Sequence, residues 1–138
     1  MFAQGQTKFE FNLTGSEEVT PVQTNATDTA EISAYTIAGD TITYRVNAMN
    51  IKDVTEGHIH LAKPGEKGPI VFTMFKYDPP RNEVSESGTN IADKLEGPMK
   101  DKLVYDVTLA GSNGSLYMNI HTLENPNGEI RGTSSIPP

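Results

Sequence analysis

The sequence has no cysteine and no tryptophan. Missing thiols exclude disulfides, cysteine-based zinc sites, cysteine nucleophiles and blue-copper centres, which need a thiolate. They do not set the compartment, because many exported microbial proteins also have none. Cationic residues are scarce: 11 Lys and Arg stand against 18 Asp and Glu, for a formal charge of −7 and a pI near 4.8. Lysine and arginine form no run, and a polyanion is repelled at long range, so nucleic acid is not an expected partner. The acidic balance is compatible with calcium or another cation, but a solvated surface accounts for it as well. No stretch approaches the roughly 20 apolar residues of a membrane-spanning helix, so no membrane insertion is expected.

What is present has the texture of an all-β chain. Hydrophobic residues make up 36% of the 138, and the mean hydropathy is −0.44. Val, Ile, Thr, Tyr and Phe come in short bursts between Gly, Pro, Asn and Asp clusters, as in short strands joined by turns. The length suits one domain. Residues 1–7 read as a tail, 8–134 as the β-domain and 135–138 as a second tail. Met1-Phe2-Ala3-Gln4 looks like an initiator Met placed on the remnant of a removed signal peptide, which gives an extracytoplasmic or secreted mature form as the expectation. Asn12, Asn25 and Asn113 begin N-x-S/T triplets, which suit export but also arise by chance.

Along the chain, alternation of Phe9 and Phe11 with polar residues marks 8–13 as a first strand. Residues 29–37 and 41–48 flank Gly39-Asp40 and read as a hairpin, with Ile42, Tyr44 and Val46 on one face. A short strand at 57–61 closes at the Lys63-Pro64-Gly65 turn, and 70–75 is another apolar burst. Residues 76–97, with Pro79-Pro80, read as an irregular surface excursion. The stretch 100–110 stays open: Leu103, Tyr105, Val107 and Leu109 fit a strand, whereas Leu103, Val104, Val107 and Ala110 fit a helical face. Strands at 115–122 and 129–134 are joined through Asn125-Pro126-Asn127-Gly128, a type I turn pattern. Seven or eight antiparallel strands with these spacings predict a Greek-key or immunoglobulin-like β-sandwich or barrel.

The three histidines carry the chemistry. His58 and His60 lie at i and i+2 on a strand, so both point to one face with roots about 6–7 Å apart. Ile59 and Leu61 take the core face. In the later strand Met118 and Ile120 belong inside, which puts Asn119 and His121 outside and removes Met118 as a ligand. A five-residue loop at 124–128 sets His121 opposite Arg131 and leaves Arg131 and Glu129 on the His121 face. If these strands come together, three imidazoles converge. Imidazole suits zinc, copper, iron and nickel, and three of them leave a coordination position open. Chance also yields an H-x-H pair, Glu17 and Glu18 read as a charged loop, and Arg131 with Glu129 fit an ordinary surface network.

Leu13-Thr14-Gly15, Glu18-Val19-Thr20-Pro21-Val22, Gly57-His58-Ile59-His60-Leu61, Gly68-Pro69-Ile70-Val71 and Tyr117-Met118-Asn119-Ile120-His121-Thr122 form an ordered set. With the closing Asn125-Pro126-Asn127-Gly128-Glu129-Ile130-Arg131-Gly132, it resembles the CHRD domain family, named from chordin. The resemblance runs from about Phe9 to Gly132 and implies an extracellular β-module; it implies no defined reaction. Thr20 stands where the family usually has the first of two prolines, a departure in a loop. More distantly, His58, His60, His121 and Arg131 resemble the copper side of copper–zinc superoxide dismutases. The zinc ligands, the bridging histidine and the disulfide of those enzymes are missing here.

These readings lead to a mononuclear copper site held by His58, His60 and His121, with zinc as the alternative metal. In the enzyme version superoxide is the substrate and Arg131 is the catalytic residue that guides the anion, with Lys63 and Lys67 assisting. The other readings are a copper-handling module without turnover and a structural or adhesive β-domain whose histidines are incidental.

Overall fold

A computed structural model describes residues 6–35, 41–89 and 91–137. Eight antiparallel strands form one sheet: β1 (Gln6–Thr14), β2 (Thr27–Tyr35), β3 (Thr41–Met49), β4 (Val54–Leu61), β5 (Ile70–Arg81), β6 (Val84–Gly88), β7 (Leu116–Thr122) and β8 (Ile130–Thr133). Their order in the sheet is β5-β4-β7-β8-β1-β2-β3-β6. The sheet curls into a barrel that is nearly closed, so the expected all-β architecture takes its barrel form. The Gly39-Asp40 turn falls outside the described residues; the strands on either side of it pair in register, Ala34 with Ile42 and Tyr35 with Thr41.

Alternation explains the core. Phe9, Phe11 and Leu13 on β1, Ala30, Ile32 and Ala34 on β2, and Met118 and Ile120 on β7 all face inward and are buried. Between the two edge strands the barrel is joined by side chains. Tyr77 Oη on β5 donates to Glu86 Oε2 on β6 at 2.5 Å, and Arg81 lies 4.3 Å over the Tyr77 ring. Tyr44 Oη on β3 reaches the Met74 carbonyl on β5 at 2.9 Å.

Three expectations change. Residues 76–97 are largely ordered structure: β5 runs on to Arg81 and β6 follows. Pro79 and Pro80 are tolerated because β5 is an edge strand, where a missing N–H breaks no inner ladder. The open stretch 100–110 resolves as a helix, α1 (Val104–Ser112). Val104, Val107 and Ala110 pack inward while Leu103, Tyr105 and Leu109 are exposed. Asp106 Oδ2 accepts the Leu103 N–H at 2.9 Å and satisfies one of the free donors at the helix start. Finally, β7 and β8 pair two residues away from the expected register. Asn119, not His121, lies opposite Arg131, and Ile120 faces Ile130 directly. A shift of two keeps every side chain on its face, so the pattern alone could not detect it.

The strands β4, β7 and β8 differ from the rest. On β2 buried and more exposed positions alternate, but β7 is buried at every position except His121. Its outward face is roofed by loops from 15–22, 62–69 and 123–129, and this covered face holds the histidines.

Candidate metal centre

His58 and His60 project from β4 beside two irregularities in its pairing with β5, at Gly57/His58 and Ile59/His60. Such irregularities re-aim side chains. On β4's other side, His58 pairs with Asn119 and Glu56 with His121. The result brings one ring nitrogen of each of His58, His60 and His121 within 4.8 Å of the others. The convergence expected from the sequence is therefore present in the fold. The rings of His58 and His121 are 5.0 Å apart, and those of His58 and His60 5.7 Å, each pair edge to face.

Two backbone carbonyls favour one tautomer at His60 and His121. His60 Nδ1 lies 2.9 Å from the Gly68 carbonyl and His121 Nδ1 lies 2.8 Å from the Pro126 carbonyl. A carbonyl only accepts, so both Nδ1 atoms are protonated and both Nε2 atoms present lone pairs. Asn119 Oδ1 is placed 2.9 and 3.2 Å from those two Nε2 atoms; with Nδ1 protonated on both rings, the matching orientation is the amide turned over, so that Nδ2 donates to the two lone pairs. His58 Nδ1 is 3.3 Å from His121 Nε2 and donates to it in the metal-free protein; its Nε2 faces Glu56 Oε1 at 3.7 Å. Moving that one proton to Nε2 gives three lone pairs on a common point. A cation suits such a donor set, and partners on the far nitrogens are what hold metal-binding histidines in place.

Burial keeps the His58 and His60 rings neutral. His58 is held down to about 4, first by desolvation and then by the charge of His121, against the pull of Glu56. His60 is lowered mainly by desolvation, with Arg131 and His121 adding to it. Neutral imidazole is the ligand form. The face that the sequence marked as outer is thus not a wet surface: His58 and His60 are 5% and 9% exposed. Met118 is fully buried on the opposite side, as expected.

Arg131 shares this face, but its guanidinium is engaged. It sits 3.5 Å from the centre of the Tyr117 ring, donates to the Glu66 carbonyl and is 3% exposed. Tyr117 also stacks on His60, with ring centres 4.6 Å apart and planes 3° from parallel. Glu129 is not on the expected outer surface. It is buried under the 123–129 loop, where Thr24, Thr122 and Asn125 donate to its carboxylate at 2.7, 2.9 and 3.1 Å. Of the two lysines, Lys67 borders a hollow with His60, His121 and Arg131, and Lys63 does not.

The profile of the CHRD domain family matches residues 9–133. This chain belongs to the CHRD domain family. No characterised protein and no solved structure gives a significant match to it. The blocks that carry the CHRD resemblance are those that build the centre: Gly57–Leu61 supplies two histidines, Tyr117–Thr122 the third, and the Asn125–Gly128 turn the carbonyl that orients it. That turn closes by the Gly128 N–H to Asn125 carbonyl bond at 3.0 Å, with Gly128 at φ +124°.

Sequence reasoning missed two participants in this CHRD domain. Asn119 shares a face with His121, yet an asparagine beside a histidine raised no signal. Glu18 read as part of a charged loop, but it is 7% exposed and reaches the hollow beside the histidines. Its only sequence cue was its place in the Glu18–Val22 block of the family pattern. Gly68, half-buried, contributes as well: a Cβ there collides with the Leu61 carbonyl, so only glycine brings its own carbonyl to His60.

Proposed function

We propose that this CHRD domain holds one copper ion through His58 Nδ1, His60 Nε2 and His121 Nε2. The observation that carries the reading is the histidine cluster: backbone carbonyls on Nδ1 turn the Nε2 atoms of His60 and His121 inward as acceptors, and all three rings are within reach of one centre. Three imidazoles without a thiolate favour an ordinary Cu(II) centre, and copper stands above zinc in intrinsic affinity for nitrogen ligands. Copper held there supplies a one-electron couple. With superoxide as substrate, two superoxide ions and two protons yield dioxygen and hydrogen peroxide, one ion being oxidised and the other reduced. Lys67 stands at the mouth of the adjoining hollow and counters the net charge of −7 for an incoming anion. In this reading the protein works outside the cytoplasm, and zinc in the same place makes the site non-redox.

The engagement of Arg131 favours a second reading. A guanidinium stacked on Tyr117, bonded to Glu66 and 3% exposed is fixed in place and does not reach into solvent to capture passing anions. A copper-holding module without turnover needs the same three histidines and nothing from Arg131.

The test is to load metal-free protein with one equivalent of Cu(II) and record its EPR spectrum beside that of His121→Ala. The expected result is a stoichiometric axial signal with nitrogen coupling, lost or altered in the variant. The spectrum of free copper in both samples refutes the site. Superoxide consumption by the loaded protein then separates the two readings. Tenfold or greater loss of rate in Lys67→Ala at low salt supports guidance, and absence of any rate supports the holding module.

A further inference from the structure

Beside the histidines, two hollows of about 210 and 300 Å³ share Glu18, Lys67, Pro126 and Asn127 as walls. Together they reach the roughly 300–1,000 Å³ of ordinary small-molecule sites. Glu18 stands at their junction. Its carboxylate is more than nine-tenths buried, and Oε2 accepts no hydrogen bond from any described group. Leaving such an atom unpaired is costly, so it marks a place where a donor is expected. The backbone comes close by design: at Gly128 an added Cβ falls 2.6 Å from Glu18 Oε2 and 2.9 Å from Asn119 Nδ2. Two cations border the same space. Lys67 is exposed at the rim, and the buried guanidinium of Arg131 has donors beyond the one it gives to Glu66.

We propose that this hollow binds a small organic acid carrying a hydroxyl next to its carboxylate. The hydroxyl donates to Glu18, and the carboxylate lies toward Lys67 and Arg131. The pairing follows from the charges: beside the histidines one carboxylate lacking a donor faces two cations, Lys67 and Arg131, while Glu124 lies in the wall of the outer hollow. Burial alone raises the Glu18 carboxyl to about 7, against the lowering effect of Arg131 and Lys67, so it gains from a donor at neutral pH. The inference does not depend on a metal filling the histidine cluster.

Metal-free protein titrated calorimetrically with glycolate, and with acetate as the acid lacking the hydroxyl, tests this directly. Glycolate is expected to bind at least about tenfold tighter, the effect of one hydrogen bond to a charged group. Glu18→Gln should bring the two acids to within about threefold, while Lys67→Ala weakens both together. Melting curves and histidine NMR signals confirm that each variant is folded, and Lys67, being exposed, gives a variant with no buried group removed. Equal affinity for the two acids, no saturable binding at tens of millimolar, or an undiminished preference in folded Glu18→Gln overturns the proposal. Because no copper is present, none of these outcomes bears on the copper site.

Discussion

Asp28 continues the inward row of Ala30, Ile32 and Ala34 on β2 and is 4% exposed. Its Oδ1 accepts the Asn47 N–H at 3.1 Å, Oδ2 has no partner among the described residues, and desolvation pushes the carboxyl up to about 8. An unfolded Asp titrates near 3.9. Between those values the folded chain keeps a proton that the unfolded chain has lost, so stability is full below about 4 and falls as pH rises through about 8. Asp28→Asn retains an acceptor for Asn47 and removes the titration. Calorimetry from pH 5 to 9 should show the wild-type melting temperature falling and the variant's falling less, with the variant ahead by several degrees at pH 9. Some slope should persist in the variant, because Glu18 acts with the same sign up to about 7. His58 acts with the opposite sign. Held at about 4 against an ordinary value of 6.5, it leaves the folded state short of a proton between those limits, so its contribution to stability is lost as pH falls toward 4. In metal-free protein its ring protons should titrate near pH 4 by NMR. His121→Ala should raise that midpoint yet leave it below 6.5, since burial is the larger cause.

At the scale of elements, α1 and β7 show different kinds of legibility. The face of α1 was written in Val104, Val107 and Ala110, but the overlapping strand pattern of Leu103, Tyr105 and Leu109 was equally regular. Only the barrel chooses between them, by offering Phe9 as a surface for the helix. Gly111 makes this approach possible: an added Cβ falls 2.7 Å from the Phe9 ring. Gly111→Ala should therefore destabilise the protein by about 1–3 kcal/mol in urea denaturation, although alanine favours helix by about 1 kcal/mol. Leu109→Ala, on the exposed side, should change stability by less than about 0.5 kcal/mol. In β4 and β7, by contrast, strand alternation alone put His58, His60 and His121 on faces turned away from the core, and their convergence was legible on the one condition that the two strands meet, which the fold supplies by pairing them. What alternation cannot express is the roof. Loops from distant parts of the chain bury that side, and for this reason Glu18, Asn119 and the carbonyls of Gly68 and Pro126 were hidden. The β7–β8 register was hidden for a different reason, since a slip of two leaves the pattern unchanged.

For the whole molecule, the barrel is as strong as its seam. Most neighbouring strands elsewhere share backbone ladders, whereas β5 and β6 meet through Tyr77, Arg81 and Glu86. Tyr77→Phe keeps the ring under Arg81 and removes the bond to Glu86. It should cost about 1–3 kcal/mol in chemical denaturation, and should speed amide exchange in β5 and β6 more than in β1 and β2; uniform acceleration would show that the seam opens only with the whole barrel. The opposite side of the sheet carries a consequence for synthesis. β1 lies between β2, its neighbour in sequence, and β8, with Thr14 paired to Arg131 and Glu10 to Ser135. As the chain emerges, β1, β2 and β3 can pair at once, but the second edge of β1 keeps its free amides and carbonyls until β8 arrives. The nascent chain thus carries an unpaired template through most of its translation. Exchange of β8 between two copies is the misassembly this strand order invites.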